Sequence, residues 1–278
     1  MTPVKEDDRY TVPALMRGLQ LLMQFSGEER ELSGAELSRR MELPRASVFR
    51  MLQTLEQGGF VERVGEGSQY KLGLGVLRLG FAYLASMELT EHGRPVIEAL
   101  SAQCGYSAHV LVRDRREVVF VAKAAGRSAM FHSIQVGARL PAHATVLGRV
   151  LLSDLDEAAL NALYPEATLQ AFTSLTPTTP HDLMLLAHQV RDQGYAVSQS
   201  GFETGISTIA APVFDDAGRV IAAVSISVPA PKIDDAELQP LIAQVRHAAL
   251  QLTQRMSHKP GLNVWQPSST ALLQEEKV

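Results

Sequence analysis

Apolar positions near the start of the chain recur at three- and four-residue steps, the spacing of one face of an α-helix. Leu15, Leu19, Leu22 and Phe25 mark a first helix from Pro13, which stops at Ser26-Gly27-Glu28-Glu29. Ser33-Gly34-Ala35-Glu36 fits a capping box, a hydroxyl followed three residues later by a carboxylate, and opens a second helix through Leu37 and Met41. Pro44, tolerated in a first helical turn, begins a third that runs to about Gln57 with Val48, Met51, Leu52 and Leu55 inward. Gly58-Gly59 ends it. Two short β-type runs follow, Phe60 to Val64 and Gln69 to Leu72, split by Gly65-Glu66-Gly67-Ser68 as a hairpin with a glycine turn. Three short helices and a hairpin in succession make a winged helix-turn-helix pattern.

The helical period resumes from Leu74 to Leu89, with Leu74, Leu77, Phe81, Leu84 and Met87 in step, and reads as a linker helix. A second domain is expected from Gly93-Arg94-Pro95. Its order is a helix (Val96 to Cys104), strands (Ala108 to Val112, Val118 to Ala122) and a loop holding Gly137 and Pro141. Three helices come next (Thr145 to Leu152, Asp156 to Leu163, Leu183 to Gln193), then strands near Tyr195 to Ser198, Ile206 to Phe214 and Val220 to Val228. A last helix spans Asp235 to about Met256, with Leu238, Leu241, Ile242, Val245 and Leu252 on its buried stripe. Hairpins alternating with flanking helices predict an α+β sheet domain. The expected division is 13–75 winged helix-turn-helix, 76–92 linker helix and 93–258 ligand-binding domain, with a loose arm before and a poorly ordered tail after.

Composition narrows the classes. Of 278 residues, 46% are hydrophobic and 20% charged, which excludes wholesale disorder. The net charge of -4 excludes a chain basic throughout, though a small basic site would vanish in that total. One cysteine, Cys104, excludes an internal disulfide. The polar, acidic start lacks the form of a signal peptide, and Val220 to Pro231, the longest apolar stretch, is too short for a membrane span. A soluble, cytoplasmic protein is expected.

Chemistry-bearing patterns are mostly of the binding kind. In a helix-turn-helix the second helix enters the major groove with its first residues at base edges. Here Arg45, Ser47 and Arg50 fall on the outer face of that helix, arginine being suited to guanine and serine to phosphate or a base edge. Arg39 and Arg40 end the preceding helix, within reach of backbone phosphate; Gln69, Lys71 and Arg63 place the wing beside a duplex. Electrostatics alone does not decide the matter: residues 1–85 hold eleven basic and eleven acidic groups. A helical module whose arginines are solvated surface charge, contacting protein rather than DNA, stays open as the alternative. In the late strands, Ile221, Ala223, Ser225 and Ser227 share one face of Val220 to Val228, and Ile206, Thr208 and Ala210 share one face of their own. These small and hydroxyl side chains suit either a pocket floor or a solvent face. The segment Leu140 to Gly148 adds a helix start whose backbone N–H groups near Thr145, Val146 and Leu147 suit an anion.

Catalysis finds little footing. There is no Gly-x-Ser-x-Gly elbow and no Walker-type phosphate loop, and Gly73-Leu74-Gly75 fails as a dinucleotide fingerprint because Arg78 takes the third glycine position. His181 and His188 have no metal partners in pattern, Cys104 reads as a small buried residue, and His143 as a structural loop histidine. No catalytic residue, metal site or cofactor is expected.

The chain resembles the IclR family of bacterial transcriptional regulators from about Pro13 to Met256. The matching stretches are Leu32 to Ser38, Leu43 to Leu55, Gln69 to Leu74, Val136 to Thr145, Gly194-Tyr195 and Ile209 to Val213. The resemblance implies an N-terminal winged helix that dimerises on DNA, and the expected operator contacts are Arg39, Arg40, Arg45, Ala46, Ser47, Arg50, Gln69 and Lys71. It implies a GAF-like C-terminal domain that senses small molecules, for which the helix start and hydroxyl faces above make a small organic acid the expected effector, and dimers that often pair into tetramers. Effector contacts are implied at Val146, Leu147, Ser198, Ile206, Thr208, Ser225 and Ser227, with Leu140 as an apolar wall and His132 near the mouth. Ser198 stands where relatives that bind small keto acids carry aspartate, Thr208 where cysteine is frequent, and His132 where an apolar residue is usual. With Met130 and Phe131 close by in sequence, a larger or aromatic carboxylate is the favoured effector class.

Overall fold

A computed structural model describes residues 11–26, 29–65, 67–127 and 134–257. Met130, Phe131 and His132, expected near the pocket mouth, lie outside the described residues. The chain divides into two compact units between Ser86 and Met87.

The first unit runs α1 (Pro13–Leu22), β1 (Leu32–Ser33), α2 (Gly34–Arg40), α3 (Arg45–Gln57), β2 (Val61–Arg63), β3 (Gln69–Leu72) and α4 (Leu74–Ser86). The strands pair antiparallel in the order β1-β3-β2, so the wing carries a third strand, β1, that two residues of sequence do not announce. Leu21, Phe25, Leu32, Leu37, Val48, Leu52, Val61 and Tyr70 form the core, with Met51 and Leu55 against its rim. Leu21, rather than Leu15 or Leu19, is the α1 residue sealed in it. Val12, Leu15, Met16, Leu19 and Met23 stay exposed along α1. No residue of α4 is buried, and Leu77 and Phe81 remain open on it.

Gly73 and Gly75 have a structural purpose. The Gly75 N–H donates to the Gly59 carbonyl at 2.8 Å and the Gly73 N–H to the Phe60 carbonyl at 2.9 Å. A Cβ on either glycine would run into the Gly59 carbonyl oxygen. The pair brings two backbones together where the wing leads into α4.

The second unit begins with α5 (Glu88–Cys104), not near Gly93 as the sequence suggested. The expected single linker helix breaks at Met87, whose backbone is extended (φ -91°, ψ 104°) and caps α5. Pro95 lies inside the helix instead of starting it. A proline there costs about 3 kcal/mol, but Leu89, Gly93, Val96, Ile97 and Leu100 bury one continuous stripe across it. Gly93 belongs to that stripe because a Cβ would press on Val110.

Next come β4 (Ser107–Asp114), β5 (Glu117–Ala124), β6 (Arg139–Pro141), α6 (Val146–Leu151), α7 (Glu157–Leu163), α8 (Pro180–Gln193), β7 (Ala196–Gln199), β8 (Ser207–Phe214), β9 (Val220–Val228) and α9 (Asp235–Met256). β6 occupies part of the segment expected as a loop; it pairs with β5 through Val118 opposite Leu140. The six strands form one antiparallel sheet in the order β6-β5-β4-β9-β8-β7. α5 and α9 cover one face; α6 lies across the other, with α8 packed against it. Sheet residues facing α6 join a second apolar cluster, including Leu111, Val118, Phe120, Val146, Leu147, Val150, Ala210 and Ala223. Strict alternation along β9 fails at one end. A bulge opposite Phe214 inserts Ile221, so that Val220, expected on the far face, packs against the same cluster as Ala223.

Candidate functional site

The third helix presents its first turns outward because its inward side is fixed by Val48 and Leu52, both fully buried. Arg45, Ala46, Phe49 and Arg50 are exposed, Ser47 is half-buried, and among the described residues neither Arg45 nor Arg50 is held in an ion pair. Arg39 and Arg40 differ. Arg39 donates to Glu36 at 2.7 and 3.1 Å, and Arg40 donates to Glu36 at 2.6 Å and to both oxygens of Glu29 at 2.7 Å. Hydrogen bonds from Arg39 and then Arg40 pull the Glu36 carboxyl down to about 2. The capping box is therefore divided: Ser33 Oγ accepts the Glu36 N–H at 3.1 Å, while the Glu36 carboxylate serves the arginines. On the wing, Lys71 lies 3.5 Å from Glu62, Arg63 is 3.2 Å from Glu56 with its guanidinium over the Tyr70 ring, and Gln69 is exposed. Phe49, an exposed aromatic between the two free arginines, went unnoticed in the sequence.

The second unit gathers its polar groups on the sheet face beneath α6. Cross-strand pairing arranges them in rows. One row runs Ser107, Ser227, Thr208, Ser198 across β4, β9, β8 and β7. The next runs Lys123, His109, Ser225, Ala210, Ala196 from β5 to β7. Beyond it come Phe120, Leu111 and Ala223, which are apolar. The floor thus grades from hydroxyl to charged to hydrocarbon over three rows. Thr208, Ser225 and Ser227 stand on one face, as strand alternation predicts, and Ser198 joins them. The Ser225 hydroxyl is buried without a hydrogen-bond partner among the described residues. Ile206 lies just before β8 and closes a turn with Ser200, whose N–H donates to its carbonyl at 2.9 Å. Gly201 rests directly on Ser198 Oγ, where any side chain would collide.

The other wall is α6. Val146 and Leu147 open it and pack into the cluster above the floor, with Leu140 partly buried beside them. Its N-terminus is less open than the sequence suggested. Thr145 Oγ1 accepts the Gly148 N–H at 3.1 Å, and the helix is six residues long. Gly148 is fixed by close approach, since a Cβ there would overlap the Ala142 carbonyl. His143 turns away towards another group. Its Nε2 is 2.9 Å from the Gln170 carbonyl and its ring meets those of Tyr164 and Phe172. Burial drives the Tyr164 hydroxyl up to about 12, so it is a neutral phenol. Phe172 in turn meets Phe202, and Thr173 Oγ1 donates to the Gly201 carbonyl at 2.7 Å, joining that loop to the one over Ser198.

His109, Lys123 and Ser107 were missed by sequence reasoning. His109 is buried, edge-on to Phe120 at 5.3 Å, and Lys123 donates from Nζ to the Ile134 carbonyl at 2.8 Å. The signal was available: both are polar residues inside strands otherwise rich in valine and alanine.

Comparison with known proteins agrees with this architecture. Residues 14–65 match the IclR helix-turn-helix domain model, and residues 81–254 match that of the bacterial transcriptional regulator IclR C-terminal domain. The chain is 32% identical over 247 residues to the HTH-type transcriptional regulator XynR of Escherichia coli K12, covering 89% of this chain and 98% of that one. It is 33% identical over 244 residues to the Pca regulon regulatory protein of Pseudomonas putida, covering 86% and 83%. Among solved structures, a protein of Rhodococcus sp. RHA1 described as a transcriptional regulator superposes with a TM-score of 0.77 at 33% identity, over 88% of this chain and 98% of that one. An IclR homologue of Microbacterium hydrocarbonoxydans, solved with 4-hydroxybenzoate, shares the fold at a TM-score of 0.76 and 23% identity, over 87% and 98%. With both domain models matched in order and two curated regulators aligned over most of its length, the chain belongs to the IclR family of bacterial transcriptional regulators.

Proposed function

We propose that this regulator works as a one-component switch in the cytoplasm: paired winged helices hold two operator half-sites, and a small organic acid bound in the second unit shifts their affinity. Arg45, Ala46, Ser47 and Arg50 read base edges in this scheme; Arg39, Arg40, Gln69 and Lys71 hold the phosphates on either side. Val146, Leu147 and Leu140 line the effector from above. Ser198, Ile206, Thr208, Ser225 and Ser227 meet it from the floor, and His132 is assigned to the mouth on resemblance alone.

The observation that carries the effector reading is the graded floor. A hydroxyl row on one side and a hydrocarbon row on the other, with the buried Ser225 hydroxyl left for a partner between them, suit a ligand with a polar end and an apolar body. Apolar stripes left open on α1 and α4 support the dimer: a second copy would cover Leu15, Leu19, Leu77 and Phe81. Two-fold pairing also matches two-fold operators. Coupling of about 1–3 kcal/mol between ligand and DNA suffices for such a switch.

Fluorescence anisotropy of labelled DNA from upstream of the chain's own coding region, against scrambled DNA over a salt series, tests the reading. Sequence-selective binding that weakens steeply with salt supports it, because phosphate contacts release counterions. A change in that affinity on adding 4-hydroxybenzoate, benzoate or pyruvate supports the effector assignment. Equal, weak binding to both DNAs with and without these acids refutes the switch.

A further inference from the structure

Lys123 and His109 are polar groups that the effector reading does not use. Both stand on the sheet face covered by α6, directly opposite each other across β5 and β4, and His109 is directly opposite Ser225 on β9. Residues so paired have Cβ atoms about 5 Å apart, so the ammonium, the imidazole and the hydroxyl can converge on one ligand atom group. His109 is buried, as is the Ser225 hydroxyl, which lacks a hydrogen-bond partner among the described residues. The Lys123 ammonium reaches the Ile134 carbonyl, and Ile134 packs against the same cluster as Val146 and Leu147, which puts the charge on the α6 side of the sheet.

We propose that Lys123, with His109 and Ser225, holds the anionic group of the effector, and that the effector is an acid with a second hydrogen-bonding group at its other end. The proposal rests on the pocket reading above and moves the acid from the first turn of α6 to the β5–β4 side. That turn supplies only partial charge over six residues, and Thr145 already takes its Gly148 N–H. Lys123 supplies a full charge. The second group then meets Thr208 and Ser198, which lie two and three strands from His109 on the neighbouring row. At about 4.8 Å per strand, His109 and β8 are about 10 Å apart at the backbone. That span leaves room for an acid that carries its hydrogen-bonding group at the end opposite the carboxylate.

The test compares each acid with its neutral amide. The full-length chain is titrated calorimetrically with benzoate, 4-hydroxybenzoate and pyruvate, each beside benzamide, 4-hydroxybenzamide or pyruvamide. Wild type is expected to bind at least one acid about tenfold or more tighter than its amide, the gain of a charge-assisted hydrogen bond. In Lys123→Met that preference should shrink to under about threefold, and Lys123→Arg should restore it. Thr208→Val should weaken acid and amide alike. If Lys123→Met does not melt cooperatively, Lys123→Gln carries the same comparison. An acid preference that survives loss of the charge overturns this assignment and leaves the pocket standing. Failure of every acid to bind wild type overturns the carboxylate reading, and this assignment with it.

Discussion

If Arg39 contacts phosphate, as proposed, Glu36 restrains DNA binding, and replacing it is expected to show by how much. Its carboxylate occupies Arg39 from Nε and Nη2 and also accepts from Arg40 Nε, while Arg40 is independently clamped by both oxygens of Glu29. Glu36→Gln therefore frees Arg39 and leaves Arg40 held. Because the Glu36 carboxyl titrates near 2, it stays ionised and the arginines stay occupied throughout the pH range in which DNA binding is measured. The folded-state value is lowered, so acid loosens the cluster only on approach to that pH. One freed arginine that finds a phosphate steepens the log–log salt slope by about 0.9 per winged helix, or about 1.8 per dimer. Between 50 and 200 mM salt, each contact then changes affinity by a further factor of about 3.5. The double variant Glu29→Gln/Glu36→Gln frees both arginines and should double the change in slope. Anisotropy on one operator fragment across that salt range measures it, with Glu31→Gln, an exposed acid of the same unit, as the control for charge alone. A slope for Glu36→Gln no steeper than that of Glu31→Gln refutes the reasoning and turns Arg39 away from the duplex.

Four further outcomes are expected. Arg50→Ala, which removes an exposed cation of the third helix, should cost about 1–3 kcal/mol of specific operator binding; undiminished selectivity in a competition titration counts against its role. Thr208→Val should weaken the tightest effector about fivefold or more by removing one hydrogen-bonding hydroxyl, and calorimetry reporting unchanged affinity sinks that contact. Phe81→Asp puts a charge into the open apolar stripe of α4 and should shift the chain towards monomer in sedimentation; an unaltered dimer places the interface elsewhere. Gly148→Ala drives a Cβ into the Ala142 backbone, and such overpacking costs about 1–3 kcal/mol. Calorimetric melting should fall by roughly 2–4 °C per kcal/mol, and a melting temperature equal to wild type means that α6 can slide.

What the sequence made legible was periodic and local. α3 and its inward Val48 and Leu52 follow from three- and four-residue spacing, and α9 from a stripe long enough to absorb Pro240. The hydroxyl face of β9 followed from alternation alone. Features that depend on a distant partner were hidden. β1 exists because β3 lies beside it, and β6 because β5 does. α1 misled because its apolar stripe is wider than the intrachain core needs: Leu21 fills the core while Leu15 and Leu19 stay outside. His109 and Lys123 became visible only with register, since which strand faces α6 cannot be read from β4 or β5 in isolation. Pro95 suggested a start and proved internal, because burial on both sides of it outweighs one missing hydrogen bond.

The continuity of α5 through Pro95 also has a mechanical consequence. Had the chain paused at Gly93 or Pro95, a joint would sit in the middle of the path from the pocket to the first unit. Instead α5 is a single rod of seventeen residues, about 25 Å long at 1.5 Å per residue. At one end it turns through Gly105, in the left-handed conformation, straight into the strand bearing Ser107 and His109. Its other end stops one residue short of the break at Met87. A joint absorbs movement, whereas an unbroken helix carries it along its whole length. The break in the helical path then lies at the first residue of the second unit, where the chain passes over from the helix-turn-helix unit.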